Sequence, residues 1–250
     1  MRSTLRTALS WIGLFVMILS LAWFDSLPRK ERPIQTGRSA PIGSLPMVVL
    51  DPGHGGQDSG AMCGGMLEKE LTLDVAQRLD RRLRAAGLST LMTRSGDNYI
   101  SLAERAAMTN RVRDCVLVSI HFNDADKPVS TGIETYYAER QVGGGTLLAS
   151  WLPFLQRISA DSPNLESQSL AGFIQNALVT RTQAVNRGTK TQQFFVLANV
   201  RHPAVLVEGG FISNKEDANK LGNAAYREEI ATAMSEGILK YRDVLKGGKP

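Results

Sequence analysis

The 250-residue chain has three histidines, His54, His121 and His202, and two of them close apolar, strand-like segments: "MVVLDPGH" (47–54) and "CVLVSIH" (115–121). Two carboxylates hold comparable positions, Glu68 at the start of an apolar-periodic stretch and Glu208 near the end of "AVLVEGG" (204–210). Two neutral imidazoles and one carboxylate make a three-ligand zinc site that leaves a fourth position for water. The metal lowers the pKa of that water towards about 7 and polarises a bound carbonyl. A second carboxylate outside the ligand set takes the water's proton and passes it to a leaving amine. These are the parts needed to hydrolyse an amide. Taken singly, a strand-end histidine reads as a polar residue satisfied by its own loop, and no HExxH-type signature marks a metal.

The elements that must position these residues follow from periodicity. "PMVVLD" (46–51) reads as a buried strand. "EKELTLDVAQRLDRRLRAAG" carries Leu71, Val75, Leu79 and Leu83 at i+4 spacing and closes at Gly87, the pattern of an amphipathic helix with a glycine stop. "LSTLMTR" (88–94) is the next expected strand. "SLAERAAMTNRV" opens on Ser101 with Glu104 three residues on, a capping box. Strands are expected over 115–121, 132–138, 193–199 and 204–210, with a helix over 169–178. A second capping box, Ser213 to Glu216, precedes a closing helix, "AAYREEIATAMSEGILKYRDVL". Strands alternating with helices imply a single α/β domain with a mostly parallel central sheet of about six strands flanked by helices. Ligands of such sheets bind beyond the carboxyl ends of the strands. His54, Glu68, His121 and Glu208, scattered over about 155 positions, are thereby brought to one rim.

The rest of the chain sets the context. Hydrophobic residues make up 43% of the sequence, enough for one well-buried domain of about 200 residues. Residues 1–24 start with two arginines and then run apolar and uncharged for about 18 residues, which reads as a signal anchor or a signal peptide. Residues 25–45 are a proline-rich linker, and the catalytic domain is expected over 46–246. The net charge of +5 comes without a basic patch interleaved with aromatics, which excludes nucleic acid as the expected partner. Cys63 and Cys115 are too few for a disulfide framework, and their separation along the fold disfavours pairing. Cys63, in the glycine-rich loop after His54, reads as an incidental thiol rather than a nucleophile. That loop lacks the GK[ST] or GxGxxG pattern of a phosphate cradle. His202 precedes the Glu208 strand and belongs at its opposite end, on the surface.

Six segments, in order, carry a resemblance: "VVLDPGHGGQDSGA", "LEKELTLDVAQRL", "YISLAERAAMTNRV", "LVSIHFNDA", "GIETYY" and "PAVLVEGGFISN". Together they resemble the zinc-dependent N-acetylmuramoyl-L-alanine amidases of type 3 (AmiC-like), over about residues 46–242. The resemblance implies cleavage of the amide between the lactyl group of N-acetylmuramic acid and the L-alanine of the peptidoglycan stem peptide. It implies that His54, Glu68 and His121 ligate Zn2+ and that Glu208 is the catalytic glutamate. Glu70 is the rival ligand. On a helix it points about 200° away from Glu68, and the family motif favours the acid directly before the lysine. Phe122 and Cys115 depart from the usual family residues at their positions.

Residues 139–168 are the least standard part of the domain, with the glycine run Gly143–Gly145 and Pro153 interrupting an apolar stretch. They read either as an ordinary surface helix or as a regulatory insert near the cleft on which an activator protein could act. The expectation is an exported zinc amidase acting on peptidoglycan, tethered to the membrane if its N-terminus stays uncleaved, on the outer face of the cytoplasmic membrane or in the periplasm. Two other readings stay open: a zinc peptidase cutting within the stem peptide, and an inactive cell-wall-binding module.

Overall fold

The computed structural model describes residues 47–126, 129–141 and 164–247. The expected anchor (1–24), the linker (25–45) and most of the 139–168 insert lie outside the described residues. Among the described residues no helix is long and apolar enough to cross a membrane.

The domain is a single α/β unit whose six-stranded sheet contains β1 (Met47–Pro52), β4 (Thr90–Met92), β5 (Cys115–Asn123), β6 (Ile133–Tyr137), β7 (Asn186–Thr191) and β8 (Ala204–Phe211), in the order β4-β1-β5-β8-β6-β7. The first four strands in that order run parallel; β6 is antiparallel to β8, and β7 is parallel to β6. The carboxyl ends of β1, β5 and β8 therefore share a rim with the starts of β6 and β7. A two-stranded antiparallel hairpin, β2 (Met62–Cys63) and β3 (Met66–Leu67), leads into α1 (Glu68–Ala85). The other helices are α2 (Leu102–Arg111), α3 (Leu165–Thr182), the single turn α4 (Phe195–Ala198), α5 (Lys215–Gly222) and α6 (Ala224–Leu245).

Side chains alternate across each strand, so the sheet has two apolar faces. One packs Val48, Leu50, Val116, Val118, Ile120, Val205 and Val207 against α1, α3 and α6. Leu71, Val75, Leu79 and Leu83 of α1 all enter this core, as their spacing requires. Each contributes roughly 1.5–3 kcal/mol by leaving water. The second face is smaller and packs Val49, Leu117 and Leu206 against Ala106 of α2 and Val196 and Leu197 of α4. Along this second face the residue types change towards the rim. Val49 is followed by Asp51 and Gly53, Leu117 by Ser119 and His121, and Leu206 by Glu208. Where the helical cover ends, the strands turn polar.

Two elements differ from the sequence reading. The stretch expected as a strand over 193–199 is instead the helical turn α4, which tucks Val196 and Leu197 under the second face. The sixth strand is β7, an edge strand of polar, largely exposed residues, "NRGTKT", with no apolar alternation to announce it. The second capping box is also different. Asn214, not Ser213, caps α5, accepting from the backbone N–H groups of Glu216 and Asp217. The Ser213 hydroxyl instead accepts from the Ala125 N–H at 3.0 Å. The Ser101–Glu104 cap of α2 forms as expected, at 3.2 Å. At the base of the 139–168 segment, the Asn164 amide donates to the Ala138 carbonyl and to Gln141 Oε1, each at 2.9 Å, which ties the two ends together.

Candidate metal centre

The loop after β1 turns sharply at the rim. The Gly53 N–H still bonds to Ile120 O of β5 at 3.0 Å, and His54 then adopts a left-handed φ of 60°. Such a backbone costs a non-glycine residue of order 1–3 kcal/mol and persists only where surroundings fix it. Two buried arginines do so here. Arg105 of α2 pairs with buried Asp51 at 2.7 Å and donates to the carbonyls of Pro52 and His54 at 2.6 and 2.7 Å. Arg94 donates to the carbonyls of Pro52 and Gly53 at 3.0 and 2.7 Å. Asp51 is further held by the hydroxyls of Thr93 and Ser119 at 2.7 and 2.8 Å. From the other side, Lys69 bridges the Gly56 carbonyl and Asp97, both at 2.8 Å.

On this platform His54, Glu68 and His121 come together, with one donor atom from each lying within 4.8 Å of the others. They form the one such cluster among the described residues. The imidazoles meet edge to face, with ring centroids 4.9 Å apart. Glu68 opens α1, is buried, and bridges the two rings: Oε2 lies 3.1 Å from His54 Nε2 and Oε1 lies 3.0 Å from His121 Nδ1. Backbone N–H groups fix the carboxylate as well, Ala61 donating to Oε2 at 2.9 Å and Phe122 to Oε1 at 3.1 Å. Phe122 thus serves the site through its main chain, a contribution that its side chain does not advertise. Burial alone would raise the Glu68 pKa, but the hydrogen bonds and charges of His121 and His54 outweigh it and hold the group far below the usual carboxylate range. Packing leaves no slack. A Cβ on Gly53 would stand 2.2 Å from His121 Cε1, and one on Gly60 would stand 2.5 Å from Glu68 Oε2.

Asp58, which sequence reasoning passed over, accepts from His54 Nδ1 at 2.9 Å. A carboxylate on Nδ1 fixes the tautomer that leaves the Nε2 lone pair free on the side of Glu68. Burial would lower the His54 pKa, but Glu68 and then Asp58 outweigh it and hold it above its ordinary value. The only local clue was its placement four residues after His54 in a glycine-rich turn. Asp58→Ala is expected to weaken zinc binding about 10- to 100-fold, the usual effect of losing a carboxylate behind a histidine ligand. A competition titration against a chromophoric chelator measures it, and unchanged affinity would show that Asp58 does not orient the ring.

Glu208 pairs with His121 in the β5–β8 register and with Glu134 in the β6–β8 register, so the three stand in a row on one face. Among the described residues Glu208 Oε2 is sealed from solvent with no hydrogen-bond partner. Burial, and then the neighbouring carboxylates Glu68 and Glu134, push its pKa well above the ordinary value. Glu134 is the contrasting case. Burial would raise its pKa, but it accepts from Lys190, Tyr136 and Arg187 and stays below the usual range. A small cleft opens beside His54 and His121, lined further by Tyr99, Leu102 and Val196.

The remaining sequence candidates lie elsewhere. Glu70 is exposed on α1, away from the cluster. His202 is half-buried at the start of β8, where its carbonyl accepts from Gln141 at 2.9 Å. Both cysteines are free thiols. Cys63 packs against the main core, and Cys115 is buried, its thiol pushed up to about 12 by burial and by Asp114.

The chain is similar to known proteins over most of its length. LytC, an N-acetylmuramoyl-L-alanine amidase of Bacillus subtilis, is 36% identical over 194 residues, covering 78% of this chain; the chain spans 35% of that protein's length. The solved structure of the amidase AmiC2 of Nostoc punctiforme superposes with a TM-score of 0.67 at 32% identity, covering 80% of this chain and 98% of that one. The CwlD amidase from Clostridioides difficile, solved in complex with the GerS lipoprotein, superposes with a TM-score of 0.68 at 26% identity, covering 80% and 99%. The N-acetylmuramoyl-L-alanine amidase family matches residues 48–240, from the first strand into the last helix, and the chain belongs to that family.

Proposed function

We propose that this protein is an exported, zinc-dependent peptidoglycan amidase that cleaves the bond between the lactyl group of N-acetylmuramic acid and the L-alanine of the stem peptide. The observation that carries the reading is the pairing of a His54–Glu68–His121 donor set with a carboxylate oxygen on Glu208 that is buried and without a partner among the described residues. The donor set fits zinc in type and number, two imidazoles and one carboxylate within 4.8 Å. When bound, zinc supplies a Lewis acid that polarises the carbonyl and acidifies water.

The chain's own residues supply the rest. Glu68 is held by two backbone N–H groups and two rings, so it is already placed to ligate. Asp58 keeps His54 in one tautomer. Glu208 stands beside His121 in the strand register with an oxygen that has no partner among the described residues, so in its ionised form it would accept the proton of the attacking water and deliver it to the departing alanine nitrogen. The water oxygen then resides in the lactyl carboxylate, and the peptide leaves with a free amine.

Two wider features belong to the same reading. Residues 1–24 would direct export or anchor the chain, with 25–45 as the linker. The 139–168 segment would receive an activator. Its tied base and the capture of the related CwlD amidase with a lipoprotein support that role.

The test is mass spectrometry of fragments released from isolated peptidoglycan by the zinc-supplied protein. Stem peptides beginning at L-alanine are expected. Fragments cut inside the peptide would replace the reading with a zinc peptidase, and binding without release would replace it with a wall-binding module.

A further inference from the structure

Beyond Glu208 in the row across the sheet lies a cluster that the hydrolytic step does not use. Glu134 stands directly opposite Glu208 in the register, and two cations from the edge strand β7 converge on it. Arg187 Nε donates to Glu134 Oε2 at 2.7 Å, and Lys190 Nζ donates to the same oxygen. Asn123 and the Tyr136 hydroxyl donate to Oε1 at 2.7 and 2.6 Å, so the carboxylate is fully occupied. Both cations are held from a second side as well, Arg187 over the Phe211 ring at 4.8 Å and Lys190 over the Tyr136 ring at 5.8 Å. About a third of each cationic side chain is exposed while Glu134 is buried, at 33%, 37% and 2%. Two positive charges meet one negative charge, which leaves one positive charge facing solvent. The terminal guanidinium NH groups of Arg187 have no hydrogen-bond partner among the described residues.

This pre-ordered charge has a defined distance from the reaction. Neighbouring strands lie about 4.8 Å apart, so Glu134 stands one strand spacing beyond Glu208 and the cation heads lie a little further on. An extended peptide advances about 3.5 Å per residue. A side group on the residue after the alanine therefore reaches the cations when the scissile bond lies at Glu208. At the other end of the row the cleft beside His54 mixes Tyr99, Leu102 and Val196 with Asp51, Asp58 and Arg105, and its one cation, Arg105, is already paired with Asp51. Of the two arms of the substrate, the peptide is the one that carries carboxylates.

We propose that Arg187 and Lys190 form a carboxylate-binding subsite that receives an acidic group on the stem-peptide residue following the alanine. The inference rests on the amidase reading for the identity of the peptide. The guanidinium is suited to a planar carboxylate, and a cation already held by Glu134 and an aromatic ring loses little freedom on binding. Glu134 has two effects here: it orders the pair, and it weakens their field.

The experiment is calorimetric titration of the zinc-loaded full chain with two peptides. One is L-alanyl-D-glutamyl-L-lysine amide with a free glutamyl carboxylate, and the other is its glutaminyl counterpart. The acidic peptide is expected to bind about tenfold more tightly or better, the scale of one hydrogen bond to a charged group. Arg187→Gln and Lys190→Gln should each erode that preference, with little change in affinity for the glutaminyl peptide. Glu134→Gln keeps both cations and removes their internal counter-charge, so it should tighten binding of the acidic peptide. A purely structural role for the cations predicts no such gain. Equal affinity of the wild-type protein for the two peptides, or no gain in Glu134→Gln, overturns the subsite. Digestion of peptidoglycan by the same preparation reports separately on the reaction: preference without hydrolysis would retain the subsite and remove the amidase reading.

Discussion

Glu208→Gln is expected to lower amide hydrolysis by about 10²- to 10⁴-fold, the range for removing a positioned general acid–base group, while leaving the fold intact. Glutamine has the same shape but cannot carry the proton. The substitution should also stabilise the metal-free protein at neutral pH. Glu208 has its pKa raised by burial and by the charges of Glu68 and Glu134. Its folded-state value lies above its unfolded one, so between the two the folded chain holds the extra proton and stability falls as pH rises through that window. A neutral glutamine is free of this penalty. Its advantage should be absent below the ordinary glutamate value and grow above it. Thermal melts of chelator-treated wild type and variant at about pH 4 and about pH 8, bracketing that value, make the comparison. A variant that keeps full activity would remove Glu208 from the chemistry, and one that melts lower at high pH would show that its carboxylate is not the uncompensated group described here.

The second large effect is expected at Arg105, which lines the cleft beside His54 and His121 and holds the loop that carries His54. Arg105→Met leaves Asp51 buried without its cation, and breaking one side of a buried pair costs about 3–5 kcal/mol. Both partners are almost wholly enclosed, 3% and 1% exposed, so solvent cannot compensate. The same guanidinium holds the carbonyls of Pro52 and His54, so the variant should also bind zinc more weakly. Adding Asp51→Asn should recover much of the stability. The amide is neutral and can still accept from Thr93 or Ser119, which now bond to Asp51. It should not restore zinc affinity, because the hold on the His54 carbonyl is still missing. Denaturant unfolding and zinc titration of the single and double variants separate the two effects. A loss of under about 1 kcal/mol in the single variant would mean that the pair contributes no more than an exposed one.

These two residues also show what could be read from sequence and what could not. Glu208, His54 and His121 were legible because each breaks an apolar strand pattern at its rim end, and α1 was legible because Leu71, Val75, Leu79 and Leu83 keep one period. A polar residue inside an apolar run is a local signal. Arg105 gives none, since on an amphipathic helix it reads as a solvated charge. Its partner lies 54 positions away and meets it only once the sheet is formed. Asp58 looks like any turn aspartate among glycines. β7 was missed for a related reason: an edge strand of Asn, Arg, Gly, Thr and Lys buries little, so nothing in its composition separates it from a loop. The apolar "FFVL" run nearby attracted the strand assignment, yet it covers the second face as a helical turn.

The three proposed zinc donors reside on the loop after β1, on α1 and on β5, and none of the segments between them can bring the donors together alone. The pocket comes into being only when β1 and β5 have paired in parallel and α1 has docked, steps that depend on contacts distant along the chain and are correspondingly slow. On the proposed reading, metal capture would therefore be a clock hand for the last stage of folding. In a refolding experiment a zinc indicator should lag behind the recovery of helix. A chain that passes through a membrane unfolded would arrive without its metal and acquire it on the side where it folds.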